Sequence, residues 1–485
     1  MNTRTTQAIL AAMMGLSASL LAACSAGPQY KRPAPPTAVN YVSPAESAAA
    51  SGATASPTEF AQQIVLGGTP QPSWWSDFKS SPLDDLIAMA LQNNHTLAMA
   101  NSVVAAAQEL VKAQSAALLP QVAASADAGR QQYGTEFLGP TILPPFSYVS
   151  VGASVSYAVD YNGGIARSVE EREALAQYVR SQKDVVYLNL TGSVVQQAVM
   201  VAATRSEIEA VNALIGEDEN NLKLVRTAFD NGSVSRVDVL TAESQLATDQ
   251  TWLPPLRQQL AISSHALAVL VGHSPAEWTP PEFDLANLTL PREIPVSLPS
   301  ELAHRRPDIL AAEAQLHAAT AAVGIATANL YPRITLSATG GFQALKPAQL
   351  FDYSSTVWGL IAGLTTPVFD GGRLRAERRA TINALHASAE RYQQVVLESF
   401  GQVANGLDAL NHDAELVAAQ SNAVNVAQRS VDLARESFRE GNSGILQVLD
   451  AQRQHEQAKL GLLRAQAQQY LDTTKLYLAL GGTAP

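Results

Sequence analysis

The sequence predicts a membrane α+β fold in which short transmembrane strands join very long helices, with the whole layout written twice. A repeat, two long stretches without proline, and four short segments alternating with a period of two carry that reading. The stretch from Phe229 through Gly232 and Leu240 to Gln245 recurs as Phe438 through Gly441 and Leu449 to Gln454, an offset of 209 residues. Leu118-Leu119-Pro120 is answered by Leu330-Tyr331-Pro332, and Gly163-Gly164 by Gly371-Gly372. A period of that length is far longer than a solenoid repeat. It points to two pseudo-equivalent modules fused in one chain, whose oligomer surrounds an axis. An axis with empty space along it is a channel.

Residues 1–23 read as a leader: Arg4 is the basic end, Ile9 to Leu21 the short apolar run, and Leu21-Ala22-Ala23-Cys24 a small-residue cleavage site ending in cysteine. Cys24 is therefore expected to become the lipid-bearing first residue, carrying N-acyl and S-diacylglycerol groups. It is the single cysteine, so a disulfide framework and a thiolate metal site are excluded by count. Similarity to bacterial lipoproteins makes Ser25, rather than an aspartate, a signal for the outer membrane. Residues 24–72 are rich in Pro, Ala and Ser without periodicity and read as an extended tether.

Without the leader the chain has 462 residues and a net charge of −12, which disfavours nucleic acid as a partner. Charged residues make up 15%, against about 25% in ordinary globular proteins. That depletion suits surfaces hidden in a helical assembly. Beyond the leader no run of 18 apolar residues occurs, so a membrane crossing is expected to use strands.

The first repeat spans residues 73–274, a Pro-rich linker residues 275–300, the second repeat residues 301–480, and a tail residues 481–485. The linker holds Pro275, Pro280, Pro281, Pro291, Pro295 and Pro299, too dense a cluster for a helix or a central strand. Residues 146–253 and 368–484 contain no proline. From Ile165 to Phe229 and from Arg373 to Phe438 nothing stronger than glycine interrupts, so either run can form a helix of roughly 100 Å. Ile208, Ile215, Leu222 and Phe229 make a seven-residue ladder matched by Val417, Val424, Val431 and Phe438. Val211 and Val225, with Ala427 and Ala434, form partial second seams that Asp218 and Gln420 interrupt. A strict seven-residue period imposes a left-handed coiled coil, and an ordinary antiparallel bundle is the alternative. The return segment continues the period with Val239, Leu246, Leu253, Leu260 and Leu267, broken at Pro254-Pro255.

Strands are expected at 120–133, 148–161, 332–343 and 356–367. From Tyr148 to Tyr161, Val149, Val151, Ala153, Val155, Tyr157 and Val159 share one face, and Ser150, Gly152, Ser154, Ser156 and Asp160 the other. About ten residues is the length a tilted transmembrane strand needs. Segments around Gly139-Pro140 to Pro144-Pro145 and around Lys346-Pro347 would be the external loops. Four strands cannot close a barrel, and open edges are not tolerated in lipid. Several copies must share one barrel; two copies give eight strands and three give twelve.

With these elements in place the chain resembles the outer membrane factor family, the TolC-like channels, in its lipoprotein branch serving resistance-nodulation-division (RND) pumps. The resemblance lies in Gly27-Pro28-Gln29-Tyr30-Lys31-Arg32-Pro33, Trp74-Trp75 with Phe78, Arg305-Arg306-Pro307-Asp308, Leu330-Tyr331-Pro332 and Phe369-Asp370-Gly371-Gly372, with Leu253 to Arg257 and Ala266 to Leu270. It implies a homotrimer with a twelve-stranded transmembrane β-barrel, four strands per chain, continuous with a long periplasmic α-helical coiled-coil barrel. It further implies a periplasmic adaptor and an inner-membrane RND pump as partners. The function implied is a passive exit duct for drugs or other small toxic compounds across the outer membrane of a Gram-negative bacterium. A protein-secretion outlet and a non-channel structural lipoprotein are the alternatives; the lipid cysteine and residues 27–33 argue against secretion.

Gly232 and Gly441 sit where a descending helix must reverse, with Ser233 and Ser235, or Asn442 and Ser443, available to cap the next helix. The resemblance makes Gly232, Ser233, Val234, Gly441, Asn442 and Ser443 an adaptor-contacting tip, and assigns Asp238 and Asp450 to its aperture. Three copies of an acid around an axis repel one another and attract cations. Ser443 stands where the family's latch has a basic residue, leaving Arg236 or Arg439 as substitutes. Arg305 to Asp308 reads as a helix start, and Trp74 and Trp75 as packing anchors. Enzymatic, metal and cofactor readings find no support. The eight histidines lack ligand spacing, no Met-rich stretch follows the leader, and neither a phosphate-binding Gly-x-x-x-x-Gly-Lys nor a Gly-x-Ser-x-Gly elbow occurs.

Overall fold

The computed structural model describes residues 26–34, 40–41, 60–133, 144–285 and 288–481. Cys24, the leader, most of the first external loop and the last residues of the tail lie outside them. In chain order the elements are β1 (Gln63–Leu66), α1 (Ser81–Asn93), α2 (His95–Ser115), β2 (Gln121–Gln131), β3 (Phe146–Val159), α3 (Gly164–Asp230), α4 (Arg236–Gln250) and α5 (Leu253–Leu270). They continue with β4 (Glu293–Val296), α6 (Pro299–Arg305), α7 (Pro307–Ala328), β5 (Arg333–Ala344), β6 (Thr356–Thr365), α8 (Arg373–Arg439) and α9 (Ile445–Ala479). The chain forms two compact units, one of Met1–Pro33, Val103–Val179 and Ala311–Tyr392, the other of Ala34–Ser102, Arg180–Leu310 and Gln393–Pro485.

The first unit holds an antiparallel sheet in the order β2-β3-β5-β6. Its register turns the period-two pattern into rows. Val122, Val155, Ala338 and Leu360 stand side by side, and the adjacent row on the opposite face is Ala123, Ser154, Thr339 and Gly359. One face is mainly apolar, with Arg130 at one end, and the other is mainly small and polar, with Val357 and Ile361 of β6 as exceptions. Gly152 and Gly341 are paired, and a Cβ on Gly341 would lie 2.4 Å from the Val151 carbonyl oxygen. Strand β3 ends at Val159, two residues short of the expected boundary, because Asp160 is recruited to start α3. Its carboxylate accepts from the backbone N–H of Ile165 and Ala166 at 2.9 and 2.8 Å. Asp370 does the same for α8, accepting from Gly372 and Leu374. Both carboxylates satisfy orphan amides at a positive helix end.

The described part of residues 24–72 is not the free tether that its composition suggested. Ala26 donates to the Asn162 carbonyl at 3.0 Å, and Arg167 donates to the carbonyls of Ala26 and Pro28. Tyr30 stacks on His317 with ring centroids 4.1 Å apart, and its hydroxyl donates to Glu313, which Arg32 also pairs at 2.9 Å. Gly27, at φ +80°, lies so close to Gly324 that a Cβ would sit 2.6 Å from the latter's Cα. A count of Pro, Ala and Ser is blind to Tyr30 and Arg32, and these hold the segment down.

In the second unit Trp74, Trp75 and Phe78 form a buried 3₁₀ turn, with Trp74 stacked on Tyr477 at 5.2 Å and the Tyr477 hydroxyl donating to Asp77. They join a core that includes Leu86, Val194, Leu267, Leu302 and Leu476. The Pro-rich linker also departs from expectation. Its residues Glu293–Val296 pair in parallel with Gln63–Leu66, so Pro295 sits in a two-stranded ribbon, where a missing ladder donor is tolerated. Helix α6 then begins at Pro299, inside the expected linker, because proline suits a first helical position. Asp308 lies in the first turn of α7. Arg306 before it is 6% exposed and donates to Asp308, to the carbonyls of Ser399 and Ala479, and to Gln402.

Both proline-free runs are single helices of 67 residues, Gly164–Asp230 and Arg373–Arg439. Val417 and Val431 of the second ladder are buried, whereas in the lower part of the first helix Leu222 of the ladder is buried together with the companion positions Val211 and Val225 and with Leu214. The companion positions thus face the partner helix, and Ile208 and Ile215 are half-buried beside them. The break at Pro254-Pro255 separates α4 from α5. Two helices, Gly164–Asp230 and Pro307–Ala328, contain an 18-residue window of mean hydropathy 1.4 and 1.3, contrary to the reading that no helix qualified. Polar Asn, Gln, Ser and Thr interrupt these windows, and 56% of each is buried within the protein.

Candidate functional site at the helix turns

Each long helix ends in the same device. Gly232 at φ +74° and Gly441 at +76° adopt the left-handed conformation that lets the chain leave the helix. Gly232 donates to Phe229 and Ser233 to Ala228; Gly441 donates to Phe438 and Asn442 to Ser437. This double bond pattern closes the last carbonyls of both helices. The return helices start differently. Ser235, not Ser233, caps α4, its hydroxyl accepting from the Asp238 amide. The Asp238 carboxylate accepts from the Ser235 amide and hydroxyl, both at 2.8 Å. Those two bonds, the amide first, hold the Asp238 carboxyl below the usual carboxylate range.

In the second turn neither Asn442 nor Ser443 caps, because α9 begins only at Ile445 and its N-cap is Gly444. Asn442 donates back to Glu440 at 3.1 Å, and the Ser443 hydroxyl oxygen is buried with no hydrogen-bond partner among the described residues. The two turns are neighbours. A small apolar cluster of Leu222, Val225, Val239 and Ala242 is packed by Val234 from one turn and by Ile445 and Leu449 from the other. Asn221 donates to Gln452 at 2.9 Å across the same pair of hairpins.

Among the predicted aperture residues, Arg236 stands 6.0 Å over the Phe229 ring, a cation–π distance. Asp450 accepts from Arg453 and Gln454 on its own helix. Arg439 donates to the Arg435 carbonyl at 3.4 Å. Among the described residues no ion pair joins Arg236 or Arg439 to Asp238 or Asp450. Asp450 and Arg453 line a groove of about 270 Å³ with Asp218, Asn221, Gln245 and Leu449. Asp218 was legible only as a break in the seam. Its partner Asp249 was missed, although the spacing Val239, Ala242, Leu246, Asp249 carries the acid onto the same seam.

The sheet supplies the second part of the site. On its polar face the charged side chains are Asp127, in the row with Ser150 and Gln343, and Arg333 at one end. Its apolar face exposes Val122, Leu336, Trp358, Leu360 and Leu364. Among the described residues, strands β2 and β6 are the two edges of this sheet.

The sequence profile described as outer membrane efflux protein matches residues 86–273 and 298–482. The chain is 33% identical over 475 residues to the pyoverdine export outer membrane protein OpmQ of Pseudomonas putida, covering 97% of this chain and 96% of that one. It is 29% identical over 476 residues to the toluene efflux pump outer membrane protein TtgF of Pseudomonas putida, covering 95% and 94%. The solved outer-membrane channel OprN superposes with a TM-score of 0.83 at 26% identity, over 95% of this chain and all of that one.

Proposed function

Since the chain belongs to the outer membrane efflux protein family, we propose that three copies close one twelve-stranded barrel and act as the passive exit duct of a tripartite efflux machine. Residence in the outer membrane and an efflux role come with the family. The observation that carries the finer reading is the sheet with one apolar face, one polar face and two unpaired edges. Open edges are untenable in lipid, so further copies must supply strands, and the apolar face turns outward. Two 67-residue helices, each preceded by a strand pair and both shifted by the same 209 residues, support an internal duplication. The relatives' names carry pyoverdine in one case and toluene in another. Cargo so different favours small organic molecules for this chain too, with selection made by an inner-membrane pump.

The turns at Gly232–Val234 and Gly441–Ser443 form the tip that meets a periplasmic adaptor. The buried, unpartnered Ser443 hydroxyl supports a contact supplied from outside the protomer. Asp238 is a cap first, and Asp450 is the stronger aperture candidate of the two. Cys24 carries the lipid, and the fastening of Ala26 to Asn162 keeps the processed end beside the base of β3. Purified protein in a planar bilayer gives discrete conductance steps if this reading holds; a spacer without a lumen gives none. Gly232→Trp has open space for its ring, nothing lying within 4 Å of a Cβ there, and the backbone strain of a side chain at φ +74° is confined to this exposed turn. It is expected to leave assembly intact and abolish efflux, and normal drug tolerance in that variant would remove the tip assignment.

A further inference from the structure

Each helical hairpin of the second unit carries two carboxyl groups facing one another where a coiled-coil seam should be apolar. Asp218 of α3 meets Asp249 of α4, which is 1% exposed. Asp413 of α8, 7% exposed, meets Asp472 of α9. In both pairs one carboxyl oxygen, Oδ2 of Asp218 and Oδ2 of Asp413, is buried and finds no donor among the described residues. The second acid of each pair is already served, Asp249 by the Gln245 amide at 2.6 Å and Asp472 by Gln468 and Lys475 at 2.7 and 2.8 Å. In each pair two carboxyl groups meet on the seam and one buried oxygen finds no donor among the described residues, which one shared hydrogen would satisfy.

We propose that the Asp218–Asp249 and Asp413–Asp472 pairs are proton-binding sites, each holding one shared proton that clamps its hairpin, so that the seams loosen when the proton leaves. In the bound form one carboxyl donates an O–H to the other; on release two anions face each other in a poorly hydrated layer. Among the described residues no free cation lines the groove at the first pair. Glu217 adds negative charge beside Asp218, Asn221 and Gln245 are neutral, and Arg453 from α9 is engaged by Asp450. Around the second pair Lys475 and His412 offset part of the repulsion, His412 also contacting Glu415. Burial, and then the facing acid, push Asp218 up to about 7. Burial and Asp472 push Asp413 up to about 6.

The linkage sign follows from these directions. A carboxyl raised in the folded state contributes its full stability below the ordinary carboxylate range. That contribution is lost as pH rises toward the folded value, after which it is flat. The first hairpin therefore weakens up to about pH 7 and the second up to about pH 6. Neither effect depends on what docks at the tip or on whether the sheet closes a barrel.

Hydrogen exchange of the full-length protein in lipid nanodiscs, corrected for intrinsic exchange, tests this at pH 5, 6, 7 and 8. Protection of segments 211–225 and 239–250 is expected to fall by up to about tenfold per pH unit to pH 7 and then level. Segments 406–420 and 465–479 should level one unit earlier. Asp218→Asn, a permanently neutral amide, should flatten the first profile and leave the second; Asp413→Asn should do the reverse. If Asp218→Asn does not fold, Asp249→Asn reads the same pair from the other side. Protection independent of pH in the unmodified protein, or slopes that survive both asparagine variants, would overturn the proposal.

Discussion

Arg306 is a cation almost wholly withdrawn from solvent, and its three guanidinium nitrogens end on a carboxylate, two backbone carbonyls and an amide oxygen. Removing it leaves the carbonyls of Ser399 and Ala479 without that donor. Arg306→Met is expected to cost about 3 kcal/mol, read as a lowered unfolding temperature of the assembled protein. Arg306→Lys should restore only part of it, since a point charge cannot span oxygens on three elements. The aperture acid is a different case, because Asp450 is exposed and its charge is offset by Arg453 one turn on. Single-channel recording should show cation preference falling in Asp450→Ala and rising in Arg453→Gln. Opposite shifts require the pair to face the conduction path, and unchanged selectivity in both would place it on an outer surface. Arg306 was legible in sequence as the start of a helix but not as its anchor, since three of its acceptors lie about 90 and 170 residues further on.

At the scale of elements, what could be read early follows from strict periods. Alternation located four strands to within two residues, and the absence of proline located both 67-residue helices. What escaped depends on partners distant in sequence: the ribbon of Gln63–Leu66 with Glu293–Val296, and the docking of residues 26–33 through Tyr30, Arg32 and Arg167. Caps sat between these extremes. The glycines at 232 and 441 were legible, but the serine that caps depended on where each return helix begins, a boundary no period fixes. The sheet offers a sharper test of period-two reading, because adjacent glycines 340 and 341 face opposite ways. A Cβ on Gly341 would strike the backbone of Val151 and Gly152 at 2.4 and 2.6 Å, whereas one on Gly340 meets nothing within 4 Å. Gly341→Ala should therefore force β3 and β5 apart and sharply reduce heat-stable oligomer on gels. Gly340→Ala should assemble as the unmodified protein does, and equal behaviour of the two would contradict the register.

For the molecule as a whole, the decisive question is which face of the β2-β3-β5-β6 sheet meets lipid. Rows such as Val122, Val155, Ala338 and Leu360 can be hydrated only at a cost of about 25 cal/mol per Å² of apolar surface. The opposite rows are richer in Ser, Thr, Gly and Gln and carry Asp127, with Val357 and Ile361 of β6 as apolar exceptions, and their polar groups lose hydrogen-bonding water if turned to hydrocarbon. Both costs vanish together when the apolar face is outward and the polar face lines a lumen. Burial then isolates a reporter. Trp74 and Trp75 are buried and Trp252 and Trp278 half-buried, while Trp358 is 77% exposed and shares the apolar face with Leu360 and Leu364. In proteoliposomes containing lipids brominated on their acyl chains, tryptophan emission should be quenched, and Trp358→Phe should remove most of the quenchable component. Because bromine acts only at short range from within hydrocarbon, the same loss cannot arise from a tryptophan facing water in the lumen. Quenching that persists undiminished in Trp358→Phe would turn the sheet inside out, and with it the assignment of Asp127 and its polar neighbours to the path of the exported molecule.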